Sequence, residues 1–179
     1  MKRILKFLSV MLVSLFALSQ LTGCAYSFYD DWHEAGAVIE KENVFTSISL
    51  DEAVKKIDND ETFVLVIGCS KSSTAVSQIS SIQEQADYHS FKGTIYFLDA
   101  TAYYASSTSR KEVQSKLGVK TIAGVDNSSL VIAVYNKGEL LVDSSKNSDS
   151  KLESFYQPGT TTISIEKLFI YLFNDFNFE

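Results

Sequence analysis

The residues best equipped for chemistry in this 179-residue chain sit together, in Cys69-Ser70-Lys71-Ser72-Ser73-Thr74. One thiol, one lysine and four hydroxyls within six positions could exchange a disulfide or hold a polar ligand. Which of these they do depends on where the backbone puts them. A thiol at a helix N-terminus ionises more readily, because exposed N–H groups there favour negative charge. Free cysteine is also among the most buried residue types, so the plain reading of Cys69 is a small apolar side chain at the end of a strand.

Other chemistry-bearing groups are thinly spread. Asp30, Asp31, His33 and Glu34 carry oxygen and nitrogen donors, but close neighbours in sequence seldom converge on one ion without a loop built for it. They read as solvated surface. Ser164-Ile165-Glu166-Lys167 matches the Ser-x-x-Lys pattern of penicillin-recognising enzymes in letters only, with neither companion motif in the chain, and reads as a helix cap. His33 and His89 flank polar segments and read as solvated side chains, not as catalytic bases. No Gly-x-Ser-x-Gly elbow, phosphate loop or His-Glu-x-x-His helix occurs. No cofactor and no metal is expected.

The thiol corner is flanked by two strong signals. Phe63 to Ile67 is an unbroken apolar run ending at Gly68, which predicts a strand buried on both faces. After the turn, Ala75, Val76, Ile79, Ile82 and Ala86 recur at helical spacing, predicting a helix from about residue 73 to 87. Earlier, Val44 to Ile48 predicts a short strand, and Ser49 with Glu52 a capping box opening a helix striped by Leu50, Val54 and Ile57. Later, residues 94–99 predict a second buried strand and 100–108 a loop. Ser109 with Glu112 predicts another capping box, on a helix stopping near Gly118. Residues 129–135 and 140–143 predict two strands joined by the Asn136-Lys137-Gly138-Glu139 turn. A polar loop containing Pro158 then leads to a last helix with Ile165, Leu168, Phe169, Leu172 and Phe176 on one face. The second face of that helix, with Ile170, Tyr171 and Phe173, is more apolar than solvent contact requires.

The N-terminus has a different character. Lys2, Arg3 and Lys6 precede an apolar run from Phe7 to Leu18, too short for a comfortable transmembrane helix. Leu21-Thr22-Gly23-Cys24 follows and resembles the lipobox of bacterial lipoprotein signals. That resemblance implies removal of residues 1–23, a diacylglyceryl group on Cys24, and an extracytoplasmic protein held at the cell membrane. Two acyl chains with roughly 30 methylenes, at about 0.8 kcal/mol each, would make such an anchor durable, whereas one chain alone is reversible. The mature chain would carry 13 Lys+Arg against 22 Asp+Glu, a net charge of −9, a poor match to nucleic acid. With Cys24 lipidated, Cys69 is the one remaining cysteine, so no internal disulfide can form and the core must supply the stability. The expected organisation is a signal peptide at 1–23, a lipid-anchored tether at 24–42 and a folded domain at 43–179.

The element order β-α-β-α-β-α-β-β-α predicts parallel pairs with crossover helices and an antiparallel edge. This order, the strand-turn-helix at 63–87 and the Tyr135-Asn136-Lys137-Gly138-Glu139 hairpin resemble the thioredoxin fold, as in thioredoxin-like bacterial lipoproteins and bacteriocin-transport accessory proteins. The resemblance implies an α/β three-layer sandwich, a mixed sheet of four to five strands with helices on both faces. In that family the helix N-terminus carries Cys-x-x-Cys, and those positions correspond to Ser72 and Ala75. Sliding back three residues puts Cys69 first and Ser72 second, the candidate catalytic pair. The family's cis-proline would fall near Ser129 or Leu130, and neither is proline. The expected function is therefore a lipid-anchored, cell-surface module that binds an exported protein or peptide without catalysis. The alternatives are single-thiol exchange or isomerase activity through Cys69, and a small-ligand-binding lipoprotein.

Overall fold

The computed structural model describes residues 25–69, 71–122, 129–146 and 164–175. In chain order these form α1 (Ala25–Glu34), β1 (Phe45–Ser47), α2 (Leu50–Asp58), β2 (Phe63–Gly68), α3 (Ser73–Tyr88), β3 (Ile95–Asp99), α4 (Thr101–Tyr104), α5 (Ser107–Leu117), β4 (Val131–Asn136), β5 (Glu139–Asp143) and α6 (Ile165–Asp175). The fold is α/β, built on one five-stranded sheet of order β1-β3-β2-β4-β5. β3 runs parallel to both β1 and β2, while β4 pairs antiparallel with β2 and with β5.

β2 lies at the centre because every one of its residues can be buried. Successive strand side chains point to opposite faces, and the run sorts accordingly. Val64 and Val66 join a core that also takes Phe28 and Trp32 of α1, Ile79 and Ile82 of α3, and Leu168 and Phe169 of α6. Phe63, Leu65 and Ile67 face the other way, onto Leu50 and Ala53 of α2 and Val113 and Leu117 of α5. Helices thus cover both faces of the sheet. Each fully buried aliphatic or aromatic side chain contributes about 2 kcal/mol from water exclusion. Phe63 also stacks on its cross-strand partner Tyr135 at 4.7 Å, an added pairwise gain of order 1 kcal/mol.

The capping box opening α2 forms as expected. Ser49 Oγ accepts from Glu52 N at 3.2 Å, and Ser49 N donates to the Glu52 carboxylate at 2.9 Å. The hairpin turn forms too, with Lys137 at φ 50° and Gly138 at φ 73°. A Cβ on Gly138 would come 2.5 Å from the Ile57 carbonyl oxygen, so this turn needs glycine for both conformation and space. Beyond the turn, Val134 pairs with Val142 but Tyr135 pairs with Leu140. Leu141 is therefore one residue extra, a bulge in the edge strand.

Two expectations are corrected and one is refined. Within the stretch 24–42, expected as a tether leading to the domain, residues 25–42 supply α1 and four buried side chains, Phe28, Trp32, Ala37 and Ile39. A ten-residue helix is marginal by itself. α1 holds because Phe28 stacks on Phe45 at 4.8 Å and Trp32 meets Phe97 edge-on at 5.4 Å. Next, the capping box expected at Ser109 is not what opens α5. Ser106 is the cap, its hydroxyl accepting from Thr108 N and Ser109 N at 3.2 and 3.4 Å. Four hydroxyl residues in a row each suit the position, and the earliest adds most helix. Glu112 instead pairs with Lys116 at 2.9 Å. Finally, the expected loop at 100–108 contains α4. The far end of α5 behaves as expected, since Gly118 closes it in the left-handed region at φ 69°.

Candidate functional site

The helices following the strands leave the sheet in two directions. β1 and β3 lead to α2 and α5, which pack on one face, whereas β2 leads to α3 on the other. Adjacent connections from β3 and β2 therefore part at the C-terminal ends of these strands. In open α/β sheets such a parting leaves a crevice suited to ligands. A cleft of about 670 Å³ occupies this position, within the size range of small-molecule and side-chain pockets.

The corner after β2 forms one wall. Gly68 is needed there by space, as a Cβ would meet Leu130 Cδ2 at 2.7 Å and Phe97 Cζ at 3.2 Å. Its carbonyl accepts from Ala100 N at 2.7 Å, and the next carbonyl, of Cys69, accepts from Thr101 Oγ1 at 3.2 Å. These two bonds tie the loop after β2 to the loop after β3. Asp99 Oδ1 holds the second loop by accepting from Thr101 N at 2.8 Å. Phe28, Trp32 and Phe97 form the apolar side of the cleft, and Asp31, Glu52 and Asp99 line it with carboxylates. Lys71 lies 3.2 Å from Asp31.

Cys69 lines this cleft, half-buried, and packs against the core beneath α2 and α5. Burial pushes its thiol pKa up, and the nearby Asp99 carboxylate pushes it further the same way. Both effects disfavour the thiolate, the form that attacks disulfides. Cys69 also precedes the α3 cap by three residues, so it does not occupy the first turn of that helix. Ser72 is the cap itself, its hydroxyl accepting from Ala75 N at 3.2 Å. The two candidate catalytic residues thus flank one turn in different roles. Cys69 faces the cleft, and Ser72 starts α3.

Of the remaining sequence candidates, Asp31 lines the cleft, whereas His33, His89 and Ser164 lie away from it. No group of three or more His, Cys, Asp or Glu suited to a metal occurs among the described residues. His33 is exposed and stacks on Tyr29 at 4.9 Å, whereas His89 closes α3, its N–H donating to Gln85 O at 3.0 Å. Ser164 caps α6, accepting from Lys167 N at 3.3 Å, in agreement with the helix-cap reading. Cys24 and Pro158 lie outside the described residues. The sequence reading missed Phe28, Trp32, Asp99 and Tyr103 as cleft residues. Asp99 was the most legible, since it ends a buried strand where parallel sheets expose their ligands.

No helix among the described residues is long and apolar enough to cross a membrane. A scan of protein-family models and a search of curated proteins both returned no match to the chain.

Proposed function

We propose that the chain is a thioredoxin-like module, lipid-anchored through Cys24 on the extracytoplasmic side of a bacterial membrane, which binds an exported protein or peptide in the cleft without redox catalysis. The observation that carries this reading is the state of Cys69: a half-buried cleft thiol whose pKa is raised by burial and by Asp99, in a chain whose other cysteine ends the lipobox-like tetrad. The mixed sheet with parallel β1-β3-β2, the β4-β5 hairpin and helices on both faces support the thioredoxin-like part of the reading. The Leu21-Thr22-Gly23-Cys24 tetrad supports the anchor.

The deciding experiment compares the full mature protein with Cys69→Ser in a disulfide-reduction assay with insulin as substrate. Equal, background-level rates are expected. Reduction by the wild type that disappears in Cys69→Ser would replace the binding reading with single-thiol exchange. Mass spectrometry of the N-terminal peptide tests the anchor, with a diacylglyceryl-modified Cys24 as the expected species.

A further inference from the structure

We infer that α1 acts as a rigid stand-off, one that holds the cleft against the lipid headgroup layer instead of letting it range on a flexible leash. The inference rests on the anchor proposed above and adds to it the position of the binding site relative to the bilayer.

Ala25, the first residue of α1, is the next residue after Cys24, so the helix starts one position beyond the proposed anchor. Four residues on, Phe28 is 2 % exposed, and eight on, Trp32 is 3 % exposed. Both line the cleft. At 1.5 Å of rise per residue, Phe28 and Trp32 lie about 5 and about 11 Å along the helix from Ala25. An 18-residue flexible tether in the same place would let the domain wander about 23 Å on average. α1 cannot take that freedom without withdrawing Phe28 from Phe45 and Trp32 from Phe97. A second tie reaches across the cleft, from Asp31 on α1 to Lys71 in the corner after β2.

The partner surface is therefore the bilayer itself, met by the N-terminal end of α1. The exposed side chains of that helix, Asp30, Asp31, His33 and Glu34, are polar and mostly acidic. They keep this stretch of α1 in water and out of the acyl chains, so the helix stands off from the bilayer and does not insert into it. Ligands of the cleft would then be those presented at the bilayer surface.

Trp32 is the single tryptophan of the chain and reports the distance directly. The lipidated full-length mature protein is reconstituted into phosphatidylcholine vesicles containing a trace of headgroup-dansylated lipid, and energy transfer from Trp32 is measured. A second protein carries a Gly-Ser linker of roughly 20 residues between Cys24 and Ala25, which spans about 25 Å. Strong transfer is expected for the native chain, with a several-fold loss in the linker protein. Vesicle flotation and the mass of the N-terminal peptide are recorded in parallel, and matching thermal melts show that both proteins keep their fold. Flotation of both with equal transfer would overturn the stand-off while leaving the anchor intact. Failure to float, with unmodified Cys24, would overturn the anchor and the stand-off together.

Discussion

The Trp32 ring meets the Phe97 ring edge-on, with centroids 5.4 Å apart and planes 79° from parallel. This contact joins α1 to the strand that ends at the cleft. It makes residues 25–42 part of the folded body.

Replacing Trp32 with Ala should accordingly cost about 3 kcal/mol, the loss typical of a buried aromatic. Urea denaturation followed by circular dichroism measures it. A flexible tether in the same place would predict a change near zero.

The Cys69 thiol should resist alkylation. Its pKa lies above the ordinary thiol value because of burial first and Asp99 second. Iodoacetamide labelling of the Cys69 peptide, followed by mass spectrometry across pH, should show a midpoint above that of a model thiol. In Asp99→Asn the midpoint should move down, since one of the two causes is removed. An unchanged midpoint would show that the carboxylate does not act on the thiol.

Tyr135 provides a pH-dependent prediction at the alkaline end. Its hydroxyl donates to the Leu117 carbonyl at 2.7 Å, and burial pushes its pKa well above the ordinary value, with Asp143 adding to the rise. Above about pH 10 an unfolded chain loses this proton while the folded chain keeps it. The folded state then binds more protons, so stability falls as pH rises. Tyr135→Phe should lose about 1–2 kcal/mol at neutral pH, because the Leu117 carbonyl loses its buried donor. It should also show a shallower decline above pH 10 than the wild type in chemical denaturation.

Gly138→Ala should destabilise the protein by at least about 2 kcal/mol, since the new methyl group must sit at positive φ and 2.5 Å from the Ile57 oxygen. The neighbouring Lys137 tolerates positive φ at 50° with its side chain in place. Lys137→Gly should therefore be neutral or slightly stabilising. Thermal melts of the two variants separate steric need from turn geometry.

How far the sequence foretold these elements depends on how much each relies on distant partners. β2 was legible because Phe63 to Ile67 is apolar on both faces, and only a central strand buries both. The Ser49–Glu52 box and the Lys137-Gly138 turn were legible because their chemistry is local. α1 was not, since Phe28 and Trp32 are a single i,i+4 pair in an otherwise polar stretch, and Phe45 and Phe97 hold them from far along the chain. The N-terminus of α5 was misjudged because Ser106, Ser107, Thr108 and Ser109 are locally equivalent. At the cleft, Cys69 was visible by type, but its surroundings were not. Asp99 and Trp32 reach it only through parallel pairing and helix docking.

The extra residue at Leu141 has a consequence for the company this protein can keep. An edge strand with unsatisfied backbone groups is a template for another chain, and a flat one invites stacking into fibres. Among the described strands β5 is an edge, but the bulge breaks its ladder, and Glu139 stands exposed where it begins. At the opposite edge β1 offers three residues, too short a run to recruit a stranger. Copies meeting edge to edge would therefore find, in the described strands, a short run on one side and a broken ladder on the other.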